Sequence, residues 1–268
     1  MVTKETHKRL GLGKKSSQML SELAEKNKNI FTVDDAVAIL KEKKSTVSKI
    51  LHDLTRNKWL FRISKGKYLI QPLEAGVKPT FTEHEFIITA NLIDKYYISY
   101  WSALNYYGLT EQVSKKIFVA TTKRKKEKKI FGISIRFVTL KNNKFFGFKK
   151  VLINNFPVNI AEKEKVIIDC LDMPRNCGGI AEIAKAIDSV KDNLDFKKLI
   201  RYASHMGNFA IINRLGYILE LLGTEIKIKP SKHYVLLDPL VKKKGTYNLK
   251  WRIIENVPKK ELLSWREH

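Results

Sequence analysis

Val47, Ile50, Leu51 and Leu54 fall at i, i+3, i+4 and i+7, so at about 100° per residue they gather into one apolar stripe on a helix. The opposite face of that helix carries Ser45, Lys49, His52 and Arg56, with Thr46 and Asp53 on its flanks. Two shorter helices are predicted before it. Ser16 or Ser17 caps the first, which runs to about residue 27 with Met19, Leu20, Leu23 and Ala24 on one side. Thr32 opens the second, with Asp35 three residues on in a capping-box pattern and Ala36, Ile39 and Leu40 facing inward. Ser45 is expected to cap the third, which ends near residue 57. The pattern then changes from helical to extended. Residues 59–63 read as a strand, Ser64-Lys65-Gly66-Lys67 as a tight turn and 68–70 as the return strand. Three helices followed by a basic hairpin form a winged helix-turn-helix.

Pro72, Gly76 and Pro79 mark a boundary after this module. Beyond it Thr82 is expected to cap a helix to about residue 94. A short strand at 96–98 and a helix from Ser99 or Ser102 to Tyr107-Gly108 follow. Strand-like runs at 117–121 and 130–140 flank Lys123-Arg124-Lys125-Lys126-Glu127-Lys128-Lys129, which is therefore expected at the tip of a hairpin. Helices are predicted at 160–171, 179–190, 195–206 and 209–222, and strands at 234–237 and 248–254. The fold class is α+β. A winged helix-turn-helix domain spans residues 1–75, and a mixed α/β domain spans 76–268, with a further division expected near 155.

Charge adds a partner to this outline. The 268 residues hold 51 Lys and Arg against 27 Asp and Glu, a net charge of +24. Repulsion on that scale opposes compaction, so it points to a polyanion, for which nucleic acid is the first candidate. The excess is +8 over residues 1–75, +10 over 76–155 and +6 over 156–268. It is thus densest in the first 155 residues. The outward side chains of the third helix can reach base edges and phosphates in a major groove. Arg62, Lys65 and Lys67 load the wing beside the duplex backbone, and Lys123, Arg124, Lys125 and Lys126 form a second cationic contact. Asp53 is expected to hold an Arg or Lys in place. The alternative for the module is a protein-binding winged helix with a solvated lysine face.

Other chemistries find little support. The start of the chain has no apolar core of a secretory signal, and no apolar run reaches the ~18 residues that span a bilayer. Cys170 and Cys177 read as reduced thiols of a cytoplasmic protein. Neither a His-Glu-x-x-His nor a Gly-x-Ser-x-Gly motif occurs, and the six histidines are scattered. Gly11-Leu12-Gly13-Lys14-Lys15-Ser16 lacks the first glycine of a phosphate loop. No catalytic, metal or cofactor site is expected. The best enzymatic alternative is a metal-dependent, possibly degenerate nuclease built on Asp238, Asn248 and Lys250, in which the neutral Asn248 stands where a second carboxylate belongs. Asp169 is read as structural with Arg214 as its partner, Trp101 and Trp251 as core, and Lys242-Lys243-Lys244 as a solvated turn.

Several stretches resemble the AbiEi-type antitoxins of abortive-infection systems. They are Tyr97-Ile98-Ser99-Tyr100-Trp101-Ser102-Ala103-Leu104-Asn105-Tyr106-Tyr107-Gly108-Leu109 and Ile117-Phe118-Val119-Ala120. The likeness continues in 158–165 with Asp169-Cys170-Leu171, Pro174 and Gly178-Gly179, in Arg214-Leu215-Gly216-Tyr217, and in 234–239. It covers about residues 15–258. Lys163 is a departure, since many family members have Arg or Thr near that position. The resemblance implies an antitoxin that binds double-stranded DNA at its own promoter and represses its operon. Its C-terminal domain would counter a nucleotidyltransferase toxin encoded next door. A winged-helix regulator with no toxin, or a pure protein-interaction module, remains as the alternative.

Overall fold

A computed structural model of the chain describes residues 11–71, 84–130 and 132–267. It divides into two compact units, residues 1–94 with 129–132, and residues 95–128 with 133–268. The expected boundary around Pro72, Gly76 and Pro79 and the expected cap Thr82 lie outside the described residues.

The first unit opens with α1 (Lys14–Glu25), β1 (Ile30–Thr32), α2 (Val33–Leu40) and α3 (Lys44–Arg56). It continues through β2 (Leu60–Ser64), β3 (Lys67–Ile70) and α4 (Glu85–Ala90). Met19 and Leu23 of α1, Ala36 of α2 and Val47, Leu51 and Leu54 of α3 meet in one core with Phe31, Leu60 and Tyr68. The capping box is present. Thr32 Oγ1 accepts from the Asp35 amide at 3.1 Å, while the Asp35 carboxylate accepts from the Thr32 amide at 2.7 Å. Asp35 is held below the usual carboxylate range by hydrogen bonds from Lys28 and Thr32, against the opposing effect of burial.

The serine caps are corrected. α1 begins at Lys14 behind an extended Gly13, and α3 at Lys44 behind Lys43, with no side-chain cap at either. The first helical bonds run from Ser17 N to Gly13 O and from Val47 N to Lys43 O, which leaves Ser16, Ser17 and Ser45 inside the first turns. β2 and β3 form the wing, closed by Lys65-Gly66 with Gly66 at φ +74°. β1 adds an unforeseen third strand, antiparallel to β3, giving the order β1-β3-β2.

The second unit starts with β4 (Tyr97–Ile98), α5 (Tyr100–Tyr106), β5 (Lys116–Thr121) and β7 (Ile133–Thr139), while β6 (Lys128–Ile130) falls at the division between the units. The antiparallel pair β8 (Phe148–Ile153) and β9 (Phe156–Ala161) follows, joined by Asn154-Asn155, both at positive φ. Five strands of this unit line up as β7-β5-β4-β9-β8 within a six-stranded sheet. β5 and β7 are parallel. The hairpin expected between them is therefore overturned, since a tight turn cannot join two parallel strands. Helices α6 (Lys163–Asp172), α7 (Ile180–Val190), α8 (Phe196–His205) and α9 (Phe209–Leu221) follow, α6 packing against the other three and α5. α6 starts three residues later than expected, because residues 156–161 pair with β8. A second sheet holds β10 (Val235–Leu236), β11 (Thr246–Asn248) and β12 (Ile253–Glu255) in the order β10-β12-β11, followed by α10 (Lys259–Leu262). The single strand expected over 248–254 is thus a turn between two strands.

At the centre of this unit Lys165 and Asp169, one turn apart on α6, form an ion pair with no exposed surface. Ser99 Oγ donates to Asp169 at 2.7 Å and Tyr97 OH at 3.1 Å, and the Lys165 ammonium sits 4.7 Å from the Phe146 ring centre. Arg214 is not the partner of Asp169. Its guanidinium donates to the carbonyls of Leu171 and Leu236, at 2.7 and 3.1 Å. Trp251 is buried against Gly216, whereas Trp101 is half-buried with its indole N–H donating to Gln112 O. Cys170 and Cys177 are free and buried.

Candidate nucleic-acid interface

The apolar stripe of α3 fixes which side chains it shows to solvent. With Val47, Leu51 and Leu54 buried, Ser45, Lys49, His52 and Arg56 are exposed on the far side, and Thr46 is half-buried. Asp53 lies between two of the cations. Its carboxylate is 3.2 Å from Arg56 Nη2 and 3.8 Å from His52 Nδ1. It therefore orients Arg56 along the helix, as expected. Lys49 makes no ion pair among the described residues.

A groove runs between α3 and the wing. Lys44, Ser48, His52 and Thr55 line one wall, Arg62, Lys65, Gly66, Lys67 and Tyr68 the other, and Thr32 to Asp34 close one end. Val33 N donates to Gly66 O at 3.0 Å, tying the wing turn to the start of α2. Arg62 and Lys65 are exposed, and Arg62 Nε reaches the Ser64 carbonyl at 3.4 Å. Lys67 is half-buried and stands 4.0 Å from Asp94. The fold thus brings His52, Arg62, Lys65 and Lys67 to one groove, while Ser45, Lys49 and Arg56 extend the surface along α3. Ser48 was missed. It is exposed, lines this groove and lies beside Lys49 and His52 in an adjoining hollow. A helical projection places it between Ser45 and His52, three residues from one and four from the other.

In the second unit Lys123, Arg124, Lys125 and Lys126 are all exposed, with the Lys125 ammonium 5.7 Å from the Phe137 ring centre. The residues of the nuclease alternative have structural duties. Asp238 accepts from Ile180 N at 2.9 Å and Leu240 N at 2.8 Å, so its carboxylate caps α7, whose own N-cap is Gly179. Asn248 accepts from Trp251 N and donates to Glu255. Among the described residues no group of three His, Cys, Asp or Glu is placed to hold a metal ion, and no helix is long and apolar enough to cross a membrane.

Residues 18–71 match the family model described as "Transcriptional regulator, AbiEi antitoxin". The resemblance drawn from the sequence is thereby supported over the winged helix, although the stretches that carried it begin at Tyr97. No curated protein matches the chain. Among solved structures, the crystal structure of the Rv2827c protein from Mycobacterium tuberculosis is similar at a TM-score of 0.70 and 12% identity. The similarity covers 100% of this chain and 99% of that one. The two proteins share a fold from end to end.

Proposed function

We propose that the protein is a DNA-binding autorepressor of the antitoxin kind, acting in the cytoplasm on its own promoter. The observation that carries this reading is the pairing of an exposed Ser45-Lys49-His52-Arg56 face with a cationic wing across one groove. α3 enters the major groove, where Ser45, Thr46, Ser48, Lys49 and Arg56 meet base edges and phosphates. Arg62, Lys65 and Lys67 contact the flanking backbone, and Lys123 to Lys126 add sequence-independent phosphate contacts. By its likeness to the AbiEi antitoxins, the second unit counters a nucleotidyltransferase toxin from the adjacent gene. No step of this function calls for catalysis by the chain itself.

A gel-shift titration tests the DNA half at ~200 mM salt, where non-specific phosphate contacts have weakened. The full chain should retain the fragment upstream of its own gene and release random DNA of equal length. Equal retention of both would refute operator recognition. Incubation of the same fragments with magnesium should leave them uncut.

A further inference from the structure

Half of the strongly exposed large apolar residues among the described residues lie within ten positions of one another. Leu240, Val241, Tyr247 and Leu249 are 56, 43, 59 and 71% exposed. Residues 240–252 also contain Lys242, Lys243, Lys244, Lys250 and Arg252 and no acid. Two carboxylates lie close to this stretch. Glu255 accepts from Thr246 and Asn248, and Glu220 pairs with Lys250 and accepts from the Trp251 indole. Thr246 and Asn248 are neutral donors, so Glu255 keeps its charge, but Lys242, Lys243, Lys244 and Arg252 outnumber it and leave a net positive field beside this sheet.

The aromatic rings beside that field are ordered. The Tyr247 ring meets Tyr234 edge-on at 5.0 Å, and the Arg252 guanidinium lies 5.3 Å from the Tyr234 ring centre while Nη1 donates to the Tyr234 hydroxyl at 3.0 Å. Next along the chain, His233 lies 5.3 Å from Phe209, which is 46% exposed. A solvated turn needs lysines but gains nothing from exposed rings, which cost free energy in water. Rings beside an excess of cations are the chemistry that binds unpaired bases, each ring taking a base face while Lys and Arg follow the phosphates. A duplex keeps its base faces stacked and cannot use them.

We infer that the β10-β12-β11 sheet is a second nucleic-acid site, selective for single strands, with Tyr247 as its stacking residue and Lys242 to Lys244 and Arg252 as its phosphate contacts. This sheet belongs to the second unit and α3 to the first, and the assignment does not depend on operator binding.

The test uses the full chain carrying Lys49→Ala and Arg56→Ala, which removes two cations of the exposed α3 face. Fluorescence anisotropy compares fluorescein-labelled dT12, rU12 and a 12-base-pair duplex at ~100 mM salt. Either single strand should bind more tightly than the duplex, and the better of the two identifies DNA or RNA. Tyr247→Ala should weaken single-strand binding about 5-fold or more while Tyr247→Phe keeps it, because stacking needs the ring and not the hydroxyl. Thermal melts should be nearly unchanged in both, since the ring is mostly exposed. Single strands that bind no better than duplex, or binding indifferent to Tyr247→Ala, would overturn the assignment. So would sedimentation with phosphatidylserine vesicles, lost in Leu249→Ala, in a protein that ignores oligonucleotides.

Discussion

Lys165 shows how far a single residue can depart from its usual place. Lysine is rarely fully buried, and Lys165 lies in the helix expected over 160–171 with charged neighbours Lys163 and Glu164. The structure closes Lys165 over Asp169 with Ser99, Tyr97 and Phe146 around them. Removing one member of a buried pair strands the other charge, at a cost of about 3–5 kcal/mol. Lys165→Met should therefore lower the urea midpoint sharply, and adding Asp169→Asn should restore part of the loss. An unshifted midpoint in Lys165→Met would contradict the pairing. The i,i+4 spacing is visible in the sequence, but nothing local tells a buried lysine from a solvated one, so the sequence points equally well to Arg214.

Asp188 makes a pH-dependent case. The Arg266 guanidinium, with Lys191 and Trp265, lowers its pKa from 3.8 to about 2 against the effect of burial. A depressed carboxylate contributes stability above its unfolded pKa and loses it as pH falls through the folded value. Asp188→Asn should cost about 1–2 kcal/mol at pH 7, and the gap to the wild type should close between about pH 4 and pH 2. Urea unfolding at several pH values reads this directly. A gap that stays constant would remove Arg266 as the cause.

Elements whose signals are local were legible, and those set by distant partners were not. The capping box at Thr32, the stripe of α3 and the wing turn at Gly66 each follow from a few adjacent residues. β1 is three residues long and exists through pairing with β3, some forty residues away, so no periodicity announces it. The direction of β7 relative to β5 is likewise invisible in strand propensity, which is why the basic run was misplaced on a hairpin. One local signal was overlooked. Asn154-Asn155 is a two-residue turn of the kind that closes hairpins, and it marks the residues after it as a return strand and not the start of a helix.

Packing between elements gives a further expectation. A Cβ on Gly216 of α9 would lie 1.9 Å from Trp251, whose indole is anchored to Glu220. Ala normally stabilises a helix over Gly by about 1 kcal/mol. Here Gly216→Ala should lower the melting temperature, since overpacking against a fixed ring costs about 1–3 kcal/mol or more. A raised melting temperature would show that the ring moves freely.

For the molecule as a whole, the charge of +24 read at the outset as a demand for a polyanion now has addresses. Part belongs to α3 and the wing, part to the exposed run at Lys123 to Lys126, and part to the C-terminal sheet. The candidate DNA-facing residues were largely legible because the α3 stripe fixes the opposite face by geometry alone. The C-terminal sheet was not, because its rings come together through the pairing of both β10 and β11 with β12 and the turn that presents Arg252. Sharing a fold with a mycobacterial protein at 12% identity means that architecture is common to both while surface charge is each chain's own. Function must therefore be tested on the surface.

The most direct test is a salt titration of duplex binding. Affinity for the fragment upstream of the gene is measured from 50 to about 300 mM salt for the wild type and for Lys49→Ala with Arg56→Ala. The double variant should bind that fragment at least 10-fold more weakly at ~150 mM salt, with a log–log slope shallower by about 1 to 2. It should also lose its preference over random DNA. Unchanged affinity and slope would show that α3 does not face DNA, and the reading as a repressor would fall.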